Sequence, residues 1–151
     1  MKTIGLIALI VLCAILVSLA WVRFAPAKAD RYHVAPGSEP KPEGRGVQLL
    51  GEDAPYFEAS PSAVEAALRA VAARKGRVKL VAESENPRRM TYLARTKIVG
   101  FPDYMTFEFS PEGAGTRLEV LSRARFAGYD WDVNAKRVEI WTRQIREALG
   151  Q

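Results

Sequence analysis

The sequence predicts an α+β fold: an N-terminal transmembrane helix, then a strand, a helix, four strands and a closing helix. Three observations carry this. An uncharged run fills residues 3–22. Two stretches, SPSAVEAALRAVAARKG and DVNAKRVEIWTRQIREALG, repeat apolar residues at helical spacing. Between them, four segments alternate apolar and polar residues across short turn sequences, which suits an antiparallel sheet and leaves no room for parallel crossovers.

The first element is TIGLIALIVLCAILVSLAWV, without a charged residue. At about 1.5 Å per residue, about 20 residues cross a hydrocarbon core of about 30 Å. The run is apolar on every face, unlike the surface helix of a globular protein. Trp21 and Arg23 stand where interfacial residues are expected. Residues 1–24 therefore read as an anchor that meets the membrane through residues 4–22. A cleaved signal peptide competes, since Lys2 gives a basic start and Ala27-Lys28-Ala29 a small-x-small site before Asp30. The run exceeds a signal h-region of about 7–15 residues, which favours an uncleaved anchor. The short Met-Lys tail favours export of the remainder, while Arg23, Lys28 and Arg31 pull the other way. Export is the reading adopted.

Residues 25–54 mix Pro26, Pro36, Pro40 and Pro42 with Gly37, Gly44 and Gly46. This reads as an extended linker with too few apolar residues to pack, and His33 as an exposed juxtamembrane residue. The soluble domain is expected over 55–151. A short strand covers 56–59. Ser60 N-caps the first helix with Pro61 at its first position, Val64, Leu68 and Val71 form its apolar stripe, and Gly76 stops it. Strands follow over 77–83 and 91–99, separated by SENPRR, then over 104–110 with Met105, Phe107 and Phe109 on one side. PEGAG turns the chain into a last strand from 116 to about 126. Leu118 and Val120 face inward there, with Arg117, Glu119, Leu121, Arg123 and Arg125 opposite. The closing helix starts near Val133 with Asp132 as N-cap and carries Asn134, Val138, Trp141, Ile145 and Ala148 as its core stripe. It covers the apolar face of the sheet, and Tyr92, Phe107, Phe109 and Trp141 read as core rather than pocket lining.

Chemistry is sparse. The chain has 151 residues, 48% of them hydrophobic and 26% charged, a globular profile. The net charge is +5, but basic and acidic residues interleave, so no nucleic-acid face is expected. The single cysteine, Cys13, lies in the apolar run, and His33 is the one histidine. No metal-ligand spacing, no nucleophile with a base and no phosphate-binding glycine loop occurs, and no catalytic residue, metal or cofactor is expected.

SRARFAGYDWDVNAKR holds the densest polar chemistry. Arg123 and Arg125 share one strand face, Asp130 and Asp132 follow in a turn, and Asn134 and Arg137 occupy neighbouring helix surface. With Asp103, these residues form a candidate corner: Asp103, Arg123, Arg125, Asp130, Asn134 and Arg137. The first reading is structural, with Asp130 or Asp132 capping the helix and the arginines pairing with carboxylates. The second is a site for an anion or a partner. Catalysis is the least supported.

FPDYMTFEF, GTRLEVLSRARF and YDWDVNAKRVEIW, with YLARTKIVGFPDY, resemble the domain of unknown function (DUF) 1499 family over roughly residues 56–151. The apolar run followed by RYHV resembles a bacterial, membrane-anchored branch. Phe101, Pro102, Asp103, Arg123, Arg125, Asp130, Asn134 and Arg137 match its motifs; Ala124 replaces a common serine and Asp132 a common glycine. The resemblance implies no activity. The element order is also similar to a trimmed helix-grip fold, an analogy of fold only. The expectation is a single-pass protein of the bacterial inner membrane with its domain on the extracytoplasmic side. It would be a non-catalytic binding or scaffold module of the cell envelope, meeting an anionic ligand or an envelope protein. The alternative is a carrier of a small apolar or lipid-like ligand held between the sheet and the C-terminal helix.

Overall fold

Alternating segments in the middle of the chain form one antiparallel sheet. The computed structural model describes residues 2–126 and 128–151; Met1, at the head of the expected anchor, and Ala127 lie outside the described residues. The strands are β1 (Gly46–Leu49), β2 (Tyr56–Phe57), β3 (Val78–Glu85), β4 (Arg88–Arg95), β5 (Pro102–Glu112) and β6 (Gly115–Ala124). The helices are α1 (Lys2–Phe24), α2 (Ala29–Tyr32), α3 (Pro61–Ala73) and α4 (Val133–Leu149). The sheet order is β1-β6-β5-β4-β3, and β2 also pairs with β6. Gly46 faces Arg123 and Leu49 faces Val120, so β1 takes the second half of β6; Tyr56 faces Arg117, so β2 takes the first.

The strand period of two gives the sheet an inner and an outer face. Met90, Tyr92, Met105, Phe107, Leu118 and Val120 point inward and are buried. They meet Val64, Leu68 and Val71 of α3 and Val138, Trp141 and Ile145 of α4. Phe107 and Trp141 stack with centroids 5.9 Å apart, and Tyr92 sets its edge against both, at 6.2 and 5.7 Å. These aromatics are core, as the alternation requires. Each such burial contributes about 1.5–3 kcal/mol.

Helix ends follow local chemistry. The Ser60 hydroxyl accepts from the Ala63 amide, the cap that Ser-Pro predicts. The helix stops at Ala73, and Gly76 lies beyond it without a left-handed φ. At α4 the expected cap is corrected. Asp132 occupies the N-cap position at φ 61° with no side-chain bond, and Asp130 does the capping instead. At the far end Ala148 is exposed, and Leu149 packs on the core in its place. Strand β4 ends at Arg95 rather than 99, because Thr96 and Phe101 close a loop, amide to carbonyl at 3.0 Å and amide to hydroxyl at 2.9 Å.

The largest departure concerns residues 25–54. Expected as an unpacked linker, they form a strap across the outer face, with Ala25, Tyr32, Pro36, Pro42 and Ala54 buried. The Tyr32 ring stacks on Tyr104 at 3.7 Å. Thr106 donates to the Tyr32 carbonyl at 2.9 Å, the Lys28 amide donates to the Tyr104 hydroxyl at 2.9 Å, and Gln48 donates to the Pro36 and Glu39 carbonyls at 2.6 and 2.9 Å. His33 is not a free juxtamembrane residue: its Nδ1 lies 2.8 Å from Thr91 Oγ1 and its Nε2 3.3 Å from Ser84 Oγ. An irregular segment can lie on a sheet only where its backbone groups find partners, and the polar outer face supplies them.

Candidate functional site

The α1 helix is long and apolar enough to cross a membrane, and none of its apolar window is buried in the protein. That fits an anchor or a signal sequence. The last turn of any helix leaves carbonyls without intrahelical donors. Here Arg95 supplies them, donating to the Val22 carbonyl at 3.3 Å, to Ala25 at 2.7 Å and to its own loop at Gly100 at 3.0 Å. A guanidinium there also suits the negative end of the helix dipole. Arg23 donates to the Ile98 carbonyl at 3.2 Å, and Arg125 to Pro26 at 2.7 Å. Gly100 has φ 81°, and a Cβ there would sit 3.1 Å from Arg23 Cγ, so the loop approaches α1 where glycine fits best. The open end of the β3–β4 hairpin, the start of β5, the end of β6 and the start of α4 all lie at this anchor end.

Between the end of α3, the β3–β4 hairpin and the first turns of α4 lies a cavity of about 670 Å³. Arg74, Lys75, Arg77, Arg95, Lys97, Lys136 and Arg137 line it, over a floor that includes Val78, Ala94 and Trp141. No carboxylate lines it. Among the described residues, Arg137 alone of these seven cations has an ion pair, while Arg95 is held by backbone carbonyls. Val133, which opens α4, is also on the wall, so the positive end of that helix dipole adds to the field.

The corner behind the cleft holds Arg137 in place. Its Nη2 donates to Asp103 at 2.9 Å and its Nη1 to Asn134 Oδ1 at 3.0 Å. Ser122 donates to the same Asn134 oxygen at 2.6 Å. Asn134 donates to Asp130 from its side chain at 2.7 Å and from its backbone at 3.1 Å, and Asp130 also accepts from the Asp132 amide at 3.0 Å. Asp103, Asp130 and Asn134 are buried. Burial pushes the Asp103 carboxyl above the usual range, and Arg137 only partly opposes it. The carboxylates are thus enclosed in the corner, and the surface that faces the cavity is cationic.

Of the six predicted residues, the structure gathers Asp103, Asp130, Asn134 and Arg137. It separates Arg123 and Arg125. Arg123 lies on the outer face of β6, opposite the inward Leu118 and Val120 as expected, and Arg125 falls just past the end of the strand. Arg123 pairs with Glu39 and lies 4.8 Å over the Tyr32 ring; burial pushes its pKa down. Arg125 holds the Pro26 carbonyl and lies 4.6 Å over Phe126. Sequence reasoning missed Arg74, Lys75, Arg77, Lys97 and Lys136. The available signal was that ARKGR and RTK sit at the two ends of one hairpin, which pairing brings together.

A fixed guanidinium beside cations that have no ion pair among the described residues, with no carboxylate and no nucleophile–base pair on the wall, can do one thing well, which is to hold an anion. A family model described as "Protein of unknown function (DUF1499)" matches residues 50–148, more than half of the chain. The match contains the corner and the cleft and leaves out α1, α2 and β1. The search of curated proteins found no match.

Proposed function

Because the chain belongs to the DUF1499 family, a grouping that brings a fold without an activity, we propose from its geometry that it is a membrane-anchored, non-catalytic module that binds an anionic ligand. The observation that carries this reading is the cleft, lined by seven cations and no carboxylate beside the end of α1. The carrier alternative has less support. Phe107, Tyr92 and Trp141 fill the middle of the space between sheet and α4. Two openings flank them: the cationic mouth, and an apolar groove of about 460 Å³ between β1 and α4 that Val47, Leu49 and Val138 line, where a carried ligand would have to sit. The expected result is that inorganic pyrophosphate raises the melting temperature of the full chain in detergent at matched ionic strength. Arg77→Gln with Lys136→Gln should abolish the rise. An unchanged melting temperature with pyrophosphate overturns the reading.

The same reading keeps α1 as an uncleaved anchor in the bacterial inner membrane. Arg95, Arg125 and Tyr104 all bond residues between Val22 and Lys28, contacts that cleavage after Ala29 would remove. Alkaline extraction should leave the full-length chain in the membrane; a soluble product beginning at Asp30 reverses this. The domain is placed outside the cytoplasm, in the cell envelope. Alkaline phosphatase fused after Gln151 should therefore be active, and an inactive fusion of normal abundance turns the domain to the other side.

A further inference from the structure

The anchor end of the sheet exposes apolar side chains as well as charge. Ile98 is 87% exposed and Trp131 73%, and Tyr129 and Phe126 are exposed too. They occupy the loop 96–101 and the described residues on either side of position 127, namely 125–126 and 128–132, which leave the sheet where α1 ends. Arg23 holds the Ile98 carbonyl, so that loop lies against the last turn of α1, level with exposed Trp21 and Phe24. The second loop is held by Arg125 on Pro26. Trp131 and Asp132 both have left-handed φ, 52° and 61°, a conformation that side chains other than glycine adopt only against strain. A large apolar ring kept exposed on such a backbone gains nothing from the protein's own core. Tryptophan with basic residues at the end of an apolar span is the composition that lipid headgroup regions favour. The cleft opens at this same end, and Arg77, Val78 and Arg95, which line it, also line a second cavity of about 610 Å³ reaching Arg23 and Phe24.

We propose that this end of the domain docks on the membrane that holds α1, with Ile98 and Trp131 entering the headgroup region and the cleft taking the phosphate of an anionic phospholipid. The proposal rests on the anion-binding reading of the cleft and on α1 as an anchor. Arg74, Arg77, Lys97 and Lys136 are exposed and outside any ion pair among the described residues, so their charge is available to phosphate. Arg137, fixed by Asp103 and Asn134, sets where the phosphate sits.

The test uses the full chain in lipid nanodiscs of phosphatidylcholine, with and without phosphatidylglycerol. Hydrogen exchange over 96–101 and 128–137 should slow when phosphatidylglycerol is present, and native mass spectrometry should find that lipid retained above its share of the bilayer. Each cation near a charged surface is worth about fivefold in affinity. The triple variant Arg77→Gln, Lys97→Gln, Lys136→Gln should therefore lose about a hundredfold and with it the retained lipid. Its melting temperature should stay near that of the parent, because none of the three residues has an ion pair to lose. Trp131→Ser should restore fast exchange in 128–132 while leaving lipid retention reduced rather than abolished. Equal exchange in both kinds of disc, with pyrophosphate still raising the melting temperature, overturns lipid docking and leaves a soluble anion as the ligand. Equal exchange with no pyrophosphate effect overturns the cleft reading as well.

Discussion

The two faces of the sheet are covered by different means. The inner face is apolar, and two amphipathic helices bury its Phe107, Met105 and Leu118. The outer face carries Thr91, Tyr104, Thr106, Arg95 and Arg123, and an irregular strap covers it. A helix satisfies its own backbone and asks only for apolar contact. A strap cannot, so it settles where side chains offer hydrogen bonds to its carbonyls and amides. The rows of threonine, tyrosine and arginine on the outer face are therefore contact residues, although their chemistry is that of a solvated surface.

The comparison can be broken in four ways. Trp141→Ala should have the largest effect, about 3–5 kcal/mol of global stability in a urea melt. Tyr32→Ala, on the other face, should act locally, speeding hydrogen exchange over residues 28–40 while β5 stays protected. Equal global losses from the two changes would mean that strap and core unfold as one unit. Asp130→Ala comes next, at about 2 kcal/mol by thermal melting, because one carboxylate accepts three bonds at the entry to α4. Asp132→Ala should cost far less, since Asp132 makes no side-chain cap bond.

Asp132→Gly should raise stability by less than about 1 kcal/mol in the same melt, since φ is 61° there and the strain glycine removes, about 1–2 kcal/mol, exceeds the roughly 0.5–1 kcal/mol its freer unfolded chain costs. A loss would show that the Asp132 side chain has a role in the turn that its hydrogen bonds do not reveal. The smallest effect belongs to pH. Burial first, then the Arg89 charge, hold the His33 pKa below its ordinary value. The unfolded chain then takes up the proton first as pH falls, so stability present above about pH 6.5 declines below it. Hydrogen exchange of the strap should quicken over that window, and His33→Asn should flatten the dependence.

The inner face was legible because both of its periods are strong. Met105, Phe107 and Phe109 alternate without interruption, and Val138, Trp141 and Ile145 keep helical spacing. The outer face was not, because its residues look solvated and the strap's prolines and glycines look like a linker. Strand β1 is only GVQL, too short to show a period, and its register comes from β6. Of the corner, Asp103, Asp130, Asn134 and Arg137 were found by the local spacing of polar residues. Alternation put Arg123 and Arg125 opposite the inward Leu118 and Val120, away from α4, so their nearness in sequence to Asp130 and Asn134 did not bring them into the corner. Asp130 took the capping role from Asp132 because two left-handed residues fold the chain back and carry the earlier carboxylate over the first turn. The cations before β3 and after β4 lie one hairpin apart in sequence and strand pairing makes them neighbours, while Lys136 and Arg137 join them only because α4 packs beside α3.

Arg95 has a mechanical consequence. A flexible tether of about 30 residues would let a domain wander about 30 Å from its anchor and turn freely. Three hydrogen bonds from Arg95, two of them to the end of α1, with Arg125 and Tyr104 beside them, replace that tether by a joint. The sheet then extends α1 as a lever extends a shaft. A change in the tilt or rotation of α1 would swing the far edge of the domain through a larger arc than the helix end itself travels.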